Sequence, residues 1–224
     1  MMTVDEVING FKLRNIEIDN IKDAQSIDTN LCDYLRVKVP AQLEYQKALE
    51  NQGFFRADRM LKASINIKKD VSYLDGKLRQ SIIKSDEYLE EIYDLATKSF
   101  PVDRRFHVEK EYNNELANQI IRQRMEEISD YYVVLYKEKM IGFAGIAEIE
   151  PGIYEIKLAA VDEKYRMLGA ALSLYGSLVK ELHEKGGTKL IGWISSVNVA
   201  VMNLYSALQA NFSDPSDIYI WSKK

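Results

Sequence analysis

The chain has 224 residues, of which 46% are hydrophobic and 29% charged, a balance typical of a globular protein and not of a disordered one. Its formal net charge of −4 argues against a dedicated nucleic-acid-binding protein, because such proteins usually carry a basic surplus. The single cysteine, Cys32, excludes an intramolecular disulfide and a multi-cysteine zinc site, and two histidines leave little for a histidine-based metal site.

The first clear secondary-structure pattern covers residues 34–40, where apolar and charged side chains alternate. Alternation of this kind indicates a half-buried strand. Pro40 then predicts the first turn of a helix that ends at Gly53, because proline favours a first helical turn and glycine a helix end. A second strand is expected over 54–67, so this region is predicted to be a strand–helix–strand unit.

The middle of the chain is predicted to contain a linker, a short strand and two helices. Residues 68–77 are polar around an Asp-Gly pair, which indicates a linker or turn. A short strand is expected over 78–84, and Ser85 is predicted to cap a helix with acidic residues in its first turn. After a loop, a second helix is expected to end near Ile128.

The C-terminal half changes between strand and helix periods several times. Mixed elements of this kind predict an α+β fold, a mixed sheet with helices on both faces. The strand–helix–strand patterns at 34–67 and 189–221 are also weakly alike, either by chance or because the first is a partial copy of the second. The predicted elements are a hairpin over 131–149, a strand over 153–161, a long helix over 166–187, a strand over 189–195, a helix over 198–210 and a strand over 218–221.

The junction between the strand 153–161 and the long helix is the most informative place for chemistry. It carries Arg166, Gly169 and Ala171 at the start of the helix. Helix N-termini present unpaired N–H groups and a positive dipole end, and small residues let a phosphate approach them. The loop therefore suits a pyrophosphate, although the same small residues also permit close helix–sheet packing.

The C-terminal half contains, in order, a strand, an Arg-x-x-Gly-x-Ala loop, a long helix, a second strand, an asparagine and, seven residues on, a tyrosine. This order resembles the GNAT superfamily of acyl-CoA-dependent N-acyltransferases. The resemblance lies in residues 155–179 and 190–212. It implies a GNAT-like mixed, mostly antiparallel sheet flanked by helices, and acetyl-CoA as co-substrate. Met167 and Leu168 depart from the family pattern, which often has glycine and a basic residue there, so one expected phosphate-contacting charge is missing.

The resemblance also implies roles for individual residues. The end of the strand before the loop is expected to splay from the strand 189–195, bind the pantetheine arm and polarise the thioester carbonyl. Asn198 is expected to contact the arm, and Tyr205 to protonate the leaving thiolate. Taken alone, a tyrosine on an apolar helix face is usually a core residue. The implied cofactor-binding residues are Leu158, Ala159, Val161, Arg166, Met167, Leu168, Gly169, Ala170, Ala171, Asn198 and Tyr205.

A general base is needed because an amine must be neutral to attack a thioester. Glu148 and Glu150 are candidates, since they lie near the end of the hairpin strand that is expected to face the substrate. Both could equally be solvated charges at a strand end. Tyr154 is a third candidate.

The N-terminal part of the chain resembles one branch of the family, the dTDP-fucosamine acetyltransferases. That resemblance rests on Gly53-Phe54 with Asp58, and on Phe100 with Arg105-Phe106. It implies a small β-α-β N-terminal domain over 1–75 and an acetyltransferase domain over 76–224. It also implies a dTDP-amino sugar as acceptor and a possible homodimer. The side chains that could meet the sugar-nucleotide phosphates are Arg104, Arg105 and Arg122.

Two alternatives remain open from the sequence: another amine acceptor on the same fold, and a non-catalytic acyl-CoA-binding module. Cys32 is expected to be a small buried hydrophobic residue, and His107 and His183 are expected to be structural or surface residues. Since no 18-residue apolar stretch occurs, we expect no signal peptide or membrane span and a reducing cytoplasm as the location. No nucleic acid and no metal are expected as partners.

Overall fold

The computed structural model describes residues 2–8, 11–67, 81–99, 118, 121–122, 124–166 and 168–223. In the N-terminal half, the elements are β1 (Met2–Ile8), β2 (Phe11–Glu17), α1 (Ile21–Ala24), a 3-10 turn (Thr29–Leu31), β3 (Tyr34–Pro40), α2 (Leu43–Glu50), β4 (Phe55–Asn66), β5 (Ser81–Lys84) and α3 (Leu89–Ser99).

The C-terminal half begins with helical residues at 121–122 and 124–126. It continues with β6 (Asp130–Tyr136), β7 (Lys139–Glu150), β8 (Ile153–Val161), α4 (Glu163–Arg166), α5 (Ala170–Glu184), β9 (Lys189–Ser195), α6 (Val199–Ala207) and β10 (Asn211–Ser222).

A single mixed sheet organises the described part of the chain. Its ten strands lie in the order β1-β2-β3-β10-β4-β9-β8-β7-β6-β5, and all neighbours are antiparallel except the parallel pairs β2/β3 and β8/β9. The predicted α+β class, a mixed and mostly antiparallel sheet flanked by helices, is confirmed.

The strand pairing has the same pattern when it is followed from β1 inwards or from β7 inwards. β1/β2 and β7/β8 are antiparallel hairpins, β2/β3 and β8/β9 are parallel pairs, and β10 and β4 meet in the middle. β10 and β4 are antiparallel to each other, with Asn211 paired with Ser64 at one end and Ile220 paired with Phe55 at the other. The two strand–helix–strand units are therefore interleaved, with β10 between β3 and β4.

Helices pack on both faces of the sheet because neighbouring residues of a strand point to opposite faces. Tyr132 and Val134 of β6 belong to the core cluster under α5 and α6. Tyr131 and Val133 of the same strand belong to the cluster under α3. A third cluster joins α1, α2, β3 and Tyr219 of β10.

Several elements differ from those expected. Pro40 ends β3 and α2 begins only at Leu43, because Gln42 keeps an extended backbone at the helix N-cap. The helix α3 begins at Leu89, after a turn in which the Ser85 hydroxyl accepts from Glu87 N–H. The predicted linker 68–77, with the domain boundary at 75, lies outside the described residues, so the division into two domains stays a prediction.

Candidate acyl-transfer site

The strands β8 and β9 are paired over only part of their lengths. Their parallel ladder joins 153–156 to 189–192 and stops at the pair Ile156–Gly192. Beyond it, Leu158–Val161 pair with β7 on the other side. The register against β7 skips Lys157, which is a β-bulge, and bulges bend a strand and increase its twist. The divergence expected for Leu158, Ala159 and Val161 is therefore present, and their edge toward β9 carries no ladder.

The loop after β8 is arranged around the N-terminus of α5. Gly169 is the N-cap residue with φ +77°, a left-handed conformation that favours glycine, and α5 begins at Ala170. The first N–H groups of an α-helix have no partner within the helix. Those of Ala170 and Ala171 therefore face the same end of the sheet as the open part of β8.

Two other loop residues differ from the expected arrangement. Arg166 closes the short helix α4, and its Nε donates to the carbonyl of Val161 at 3.0 Å, so part of the guanidinium ties the loop to β8. Leu168 is 49% exposed and precedes α5, whereas the predicted helix 166–187 included it. Met167 lies outside the described residues.

Asn198 and Tyr205 lie at the two ends of one helix face. Asn198 is the exposed N-cap of α6, and its side-chain oxygen accepts from Val201 N–H at 3.2 Å. Tyr205 follows two turns later and is only 2% exposed. A Cβ placed on Gly192 comes within 2.2 Å of the Tyr205 hydroxyl oxygen. The absence of a side chain at Gly192 thus allows the phenol to reach the point where β8 and β9 separate.

The environment of Tyr205 keeps its phenol protonated. Burial contributes most to raising the pKa of the Tyr205 phenol well above 10. The adjacent Tyr175 hydroxyl and then the negative charge of Glu155 raise the pKa further. The rings of Tyr175 and Tyr205 pack edge to face with centroids 5.4 Å apart, and burial raises the pKa of Tyr175 to about 12. The Tyr205 hydroxyl therefore stays protonated throughout the neutral range.

The three candidate bases from the sequence lie away from the divergence. Glu148 accepts from Gly152 N–H at 2.8 Å and so holds the turn between β7 and β8. Glu150 is exposed and pairs with Ile153, at the closed end of the β8/β9 ladder. Tyr154 belongs to the core cluster under α5.

Glu155 is a residue that the sequence did not single out. It pairs with Ile191, one position before the ladder ends, and its carboxylate lies 3.2 Å from the ammonium of Lys157. Because side chains alternate along a strand, Glu155 points to the face opposite Gly192 and Tyr205. The alternation in 153–161 was visible, but the position of the bulge and of the last paired residue was not.

The remaining candidates have structural surroundings where they are described. Arg122 lies 4.0 Å from Glu90 and over the ring of Tyr93 at 4.1 Å. Cys32 is buried, and His183 lies in the last turn of α5. The following candidates lie outside the described residues: Phe100, Arg104, Arg105, Phe106 and His107.

A known protein family matches the part of the chain that contains the divergent strands, the glycine-capped helix and the buried tyrosine. The model of the acetyltransferase (GNAT) family matches residues 89–209, just over half of the chain. The chain belongs to the GNAT acetyltransferase family. It is accordingly a GNAT-type N-acetyltransferase, an enzyme family that generally takes an acetyl group from acetyl-CoA and acts on amines.

Solved structures similar to this GNAT protein agree on the fold. One is a conserved protein of unknown function from Staphylococcus epidermidis (TM-score 0.69, 11% identity, 96% of this chain and 85% of that chain). A second is a tandem GNAT protein from the clavulanic acid biosynthesis pathway (0.56, 14%, 84% and 64%). A third is a glucosamine N-acetyltransferase region of a fungal multi-domain β-N-acetylglucosaminidase (0.62, 10%, 98% and 31%). No curated protein matches the chain.

Two further features concern the described residues of the GNAT protein. None of the helices found there is both long enough and apolar enough to cross a bilayer. No group of three or more histidine, cysteine, aspartate or glutamate side chains in the described ranges is arranged to hold a metal ion.

Proposed function

We propose that this chain is an acetyl-CoA-dependent N-acetyltransferase in which a primary amine attacks the thioester directly, in a ternary complex. The observation that carries the proposal is the Tyr205 hydroxyl, packed against Gly192 where β8 and β9 separate. A proton donor lies at this point, the open strand edge runs from it along Leu158–Val161, and the N-terminus of α5 follows the end of that edge in the chain. Holding the amine and the thioester together supplies much of the rate through positioning.

The open edge and the helix cap are the groups that fit acetyl-CoA. The N–H groups at the start of α5 suit the pyrophosphate, and Gly169 leaves space beside them, since a Cβ there meets nothing within 4 Å. Backbone groups of Leu158–Val161 on the unpaired edge bind the pantetheine arm and polarise the thioester carbonyl. Arg166 and Asn198 contribute secondary contacts, since each already bonds to the backbone.

Tyr205 assists departure of the thiolate. A phenol with a pKa well above 10 is a weaker acid than a thiol of pKa about 8.5. It therefore stabilises the developing negative charge on sulfur by donating a hydrogen bond and keeps its own proton. The C–S bond breaks as the N–C bond forms, CoA leaves as the thiolate, and the amine's proton goes to the base. The protonated state of Tyr205 makes its contribution independent of pH across the neutral range.

Glu155 is the proposed general base, in place of Glu148 and Glu150. It lies on the face opposite Tyr205 and beside the last paired residue of β8. The amine can therefore approach from one face while the thiolate is stabilised from the other. Glu155 takes the amine's proton directly or through one water.

For the acceptor, the sequence resemblance favours a nucleotide-linked amino sugar. One of the similar structures, the fungal region, is described as a glucosamine N-acetyltransferase. The homodimer and the cytoplasmic location are likewise expectations from the sequence. Among the arginines expected to meet phosphates, Arg122 is the described one, and it faces Glu90 and Tyr93. The acceptor is therefore the part of the proposal that depends most on experiment.

Calorimetric titration with acetyl-CoA, followed by acetyl-transfer assays with a panel of amines, tests the proposal. We expect saturable binding of one acetyl-CoA per chain and transfer to at least one primary amine. Absence of acetyl-CoA binding contradicts the proposal. Binding without transfer to any amine supports the alternative of a non-catalytic acyl-CoA-binding module.

A further inference from the structure

A cavity of 470 Å³ lies where the two interleaved units meet. Its wall combines β2 and β3 from the N-terminal part with β9 and a kinked stretch of β10. The kink is a break in the β10/β4 register between Ser213 and Ser216, with Asp214 at φ +50°. The lining residues are Glu17, Asp19, Lys38, Val39, Pro40, Ala41, Gln42, Trp193, Asp214, Pro215 and Ser216.

One lining residue, Trp193, connects the cavity to the proposed transfer site. Trp193 directly follows Gly192, the last β9 residue paired with β8. Because side chains alternate along a strand, Trp193 points to the face opposite the one where Tyr205 meets Gly192. That is also the face of Glu155, which pairs with Ile191 two positions before Trp193. An amine that enters through the cavity thus reaches the thioester on the side of the proposed base.

The cavity already holds a positively charged group. The ammonium of Lys38 lies 2.6 Å from Glu17 Oε1 and 3.7 Å above the centre of the Trp193 ring. A cation over an indole ring and beside a carboxylate is a favourable arrangement. The contacts of Lys38 therefore show that this wall accommodates a positive charge.

The carboxylates outnumber the cations in this wall. Glu17 is matched by Lys38, and Asp214 lies 3.4 Å from Lys62, a looser contact on an exposed aspartate. Asp19 adds a third carboxylate to the lining. A second ammonium group entering the cavity meets attraction from Asp19 and Asp214, whereas a diphosphate meets repulsion.

In the N-terminal unit, the parallel strands β2 and β3 form part of the cavity wall and remain paired where β8 and β9 separate. Glu17 and Lys38 are paired in the parallel ladder of β2 and β3, and Ile18 N–H donates to the Lys38 carbonyl beyond them. Between β8 and β9 the ladder stops before Trp193. The N-terminal pair stays closed where the other pair separates.

We propose that this cavity binds the distal cationic group of the acceptor, so that the substrate class is a compact amine with at least one further positive charge. The inference rests on the proposed function for the transfer step. It assigns the N-terminal unit a part in acceptor binding, and it favours a polycationic amine over a nucleotide-linked sugar.

The test compares spermidine with butylamine, which lacks the additional charges, and with a dTDP-linked amino sugar. In an Asp19→Asn/Asp214→Asn double variant we expect the ratio of kcat/KM for spermidine to that for butylamine to fall about tenfold, through KM, as for two partly exposed charge contacts. Asparagine tolerates the left-handed backbone at position 214, and Asp19 is exposed, so neither change is expected to disturb the fold. Asp28→Asn is the matched control, because it removes one charge outside the cavity and keeps a capping side chain.

An unchanged ratio in the double variant, or preferred acetylation of the dTDP-linked sugar by the wild type, overturns the inference. Direct titration of spermidine into the protein without acetyl-CoA, followed by tryptophan fluorescence, separates the two proposals. Charge-dependent spermidine binding without acetyl-CoA binding supports the cavity and contradicts the transferase function. Acetyl transfer with an unchanged spermidine-to-butylamine ratio in the Asp19→Asn/Asp214→Asn variant supports the transferase function and contradicts the cavity proposal.

Discussion

Gly192 and Tyr205 show how a site can depend on a side chain that is missing. The phenol oxygen occupies the space of a Cβ on Gly192, so a residue of any other type there displaces it. The sequence indicated Tyr205 through its spacing from Asn198 and from the Arg166 loop. It did not indicate Gly192, because the contact joins β9 to α6 and is created only by the packing of the two elements.

Replacement of Glu155 by glutamine tests the proposed base. We expect kcat/KM at neutral pH to fall about 10²-fold, because the variant has no carboxylate there to accept the amine's proton. Acetyl-CoA affinity, measured by calorimetry, should remain close to that of the wild type.

Glu148→Gln and Glu150→Gln are the matched controls for Glu155→Gln. Both residues lie at the closed end of the β8/β9 ladder, so each variant is expected to keep kcat/KM close to that of the wild type. A fall of the size expected for Glu155→Gln in one of these variants instead would assign the base as the sequence first suggested.

At the scale of elements, the strand–loop–helix unit from β8 to α6 was the part that the sequence predicted best. Its periods are long and regular, and Asn198 caps α6 in the expected place. The long helix expected from residue 166 begins only at Ala170, because Gly169 is a left-handed N-cap and Arg166 ends a separate short helix. β10 was predicted only over 218–221, because the polar stretch before it contains Pro215 and does not alternate. Its extension to Asn211 comes from pairing with β4, which no local pattern encodes.

The hairpin of β1 and β2 was missed although the sequence carries a signal for it. Asn9-Gly10 stands between the two strands, and Asn-Gly is a strong short-range hairpin signal. The bulge at Lys157 has no such signal, because it arises from the different registers that β7 and β9 impose on β8.

Gly169→Ala tests the helix cap as the phosphate-binding element. An alanine at φ +77° costs about 1 kcal/mol, although no neighbouring atom obstructs its Cβ. We expect a slightly lower free energy of unfolding in urea and clearly weaker acetyl-CoA binding by calorimetry, because the strain is relieved by moving the first N–H groups of α5.

Gly53→Ala serves as the control for the cap. Gly53 also has a positive φ, +84°, and open space around its Cβ, but it follows α2 far from the loop. It should lose similar stability and keep its acetyl-CoA affinity. Equal loss of affinity in both variants contradicts a specific role for Gly169.

For the whole molecule, one continuous sheet makes the two units a single packed structure in the described residues. β10 lies between β3 and β4, and Arg59 clamps the pair β4/β10 by donating to both oxygens of the buried Asp217 at 2.7 and 2.8 Å. The composition was enough to predict a folded globular protein, and the order of the elements was enough to predict the α+β class. The interleaving of the units could not be predicted, because it depends on contacts between residues about 150 positions apart.

Buried tyrosines make the stability of the whole fold sensitive to alkali. Burial raises the pKa of Tyr131, Tyr132 and Tyr219 to about 12, compared with about 10 in the unfolded chain. Below pH 10 both states keep these protons. Between about pH 10 and 12 the unfolded state releases them first, so the free energy of unfolding falls as pH rises.

Urea unfolding at pH 8, 9 and 11 measures this effect. We expect little change between the two lower values and a lower unfolding midpoint at pH 11. A Tyr219→Phe variant should lose less stability than the wild type between pH 9 and 11, because it has one buried phenol fewer to titrate. Identical losses in the two proteins contradict the assigned role of burial.

The most direct test of the account compares Tyr205→Phe with wild type in two measurements, the turnover number for acetyl transfer and the dissociation constant of acetyl-CoA. We predict a turnover number lower by about 10²-fold, with acetyl-CoA binding unchanged within about twofold, because the phenol donates to the departing sulfur and the ring still packs on Tyr175. Tyr154→Phe, in the core under α5, should retain wild-type turnover. Unchanged turnover in Tyr205→Phe would contradict the placement of the reaction where β8 and β9 separate.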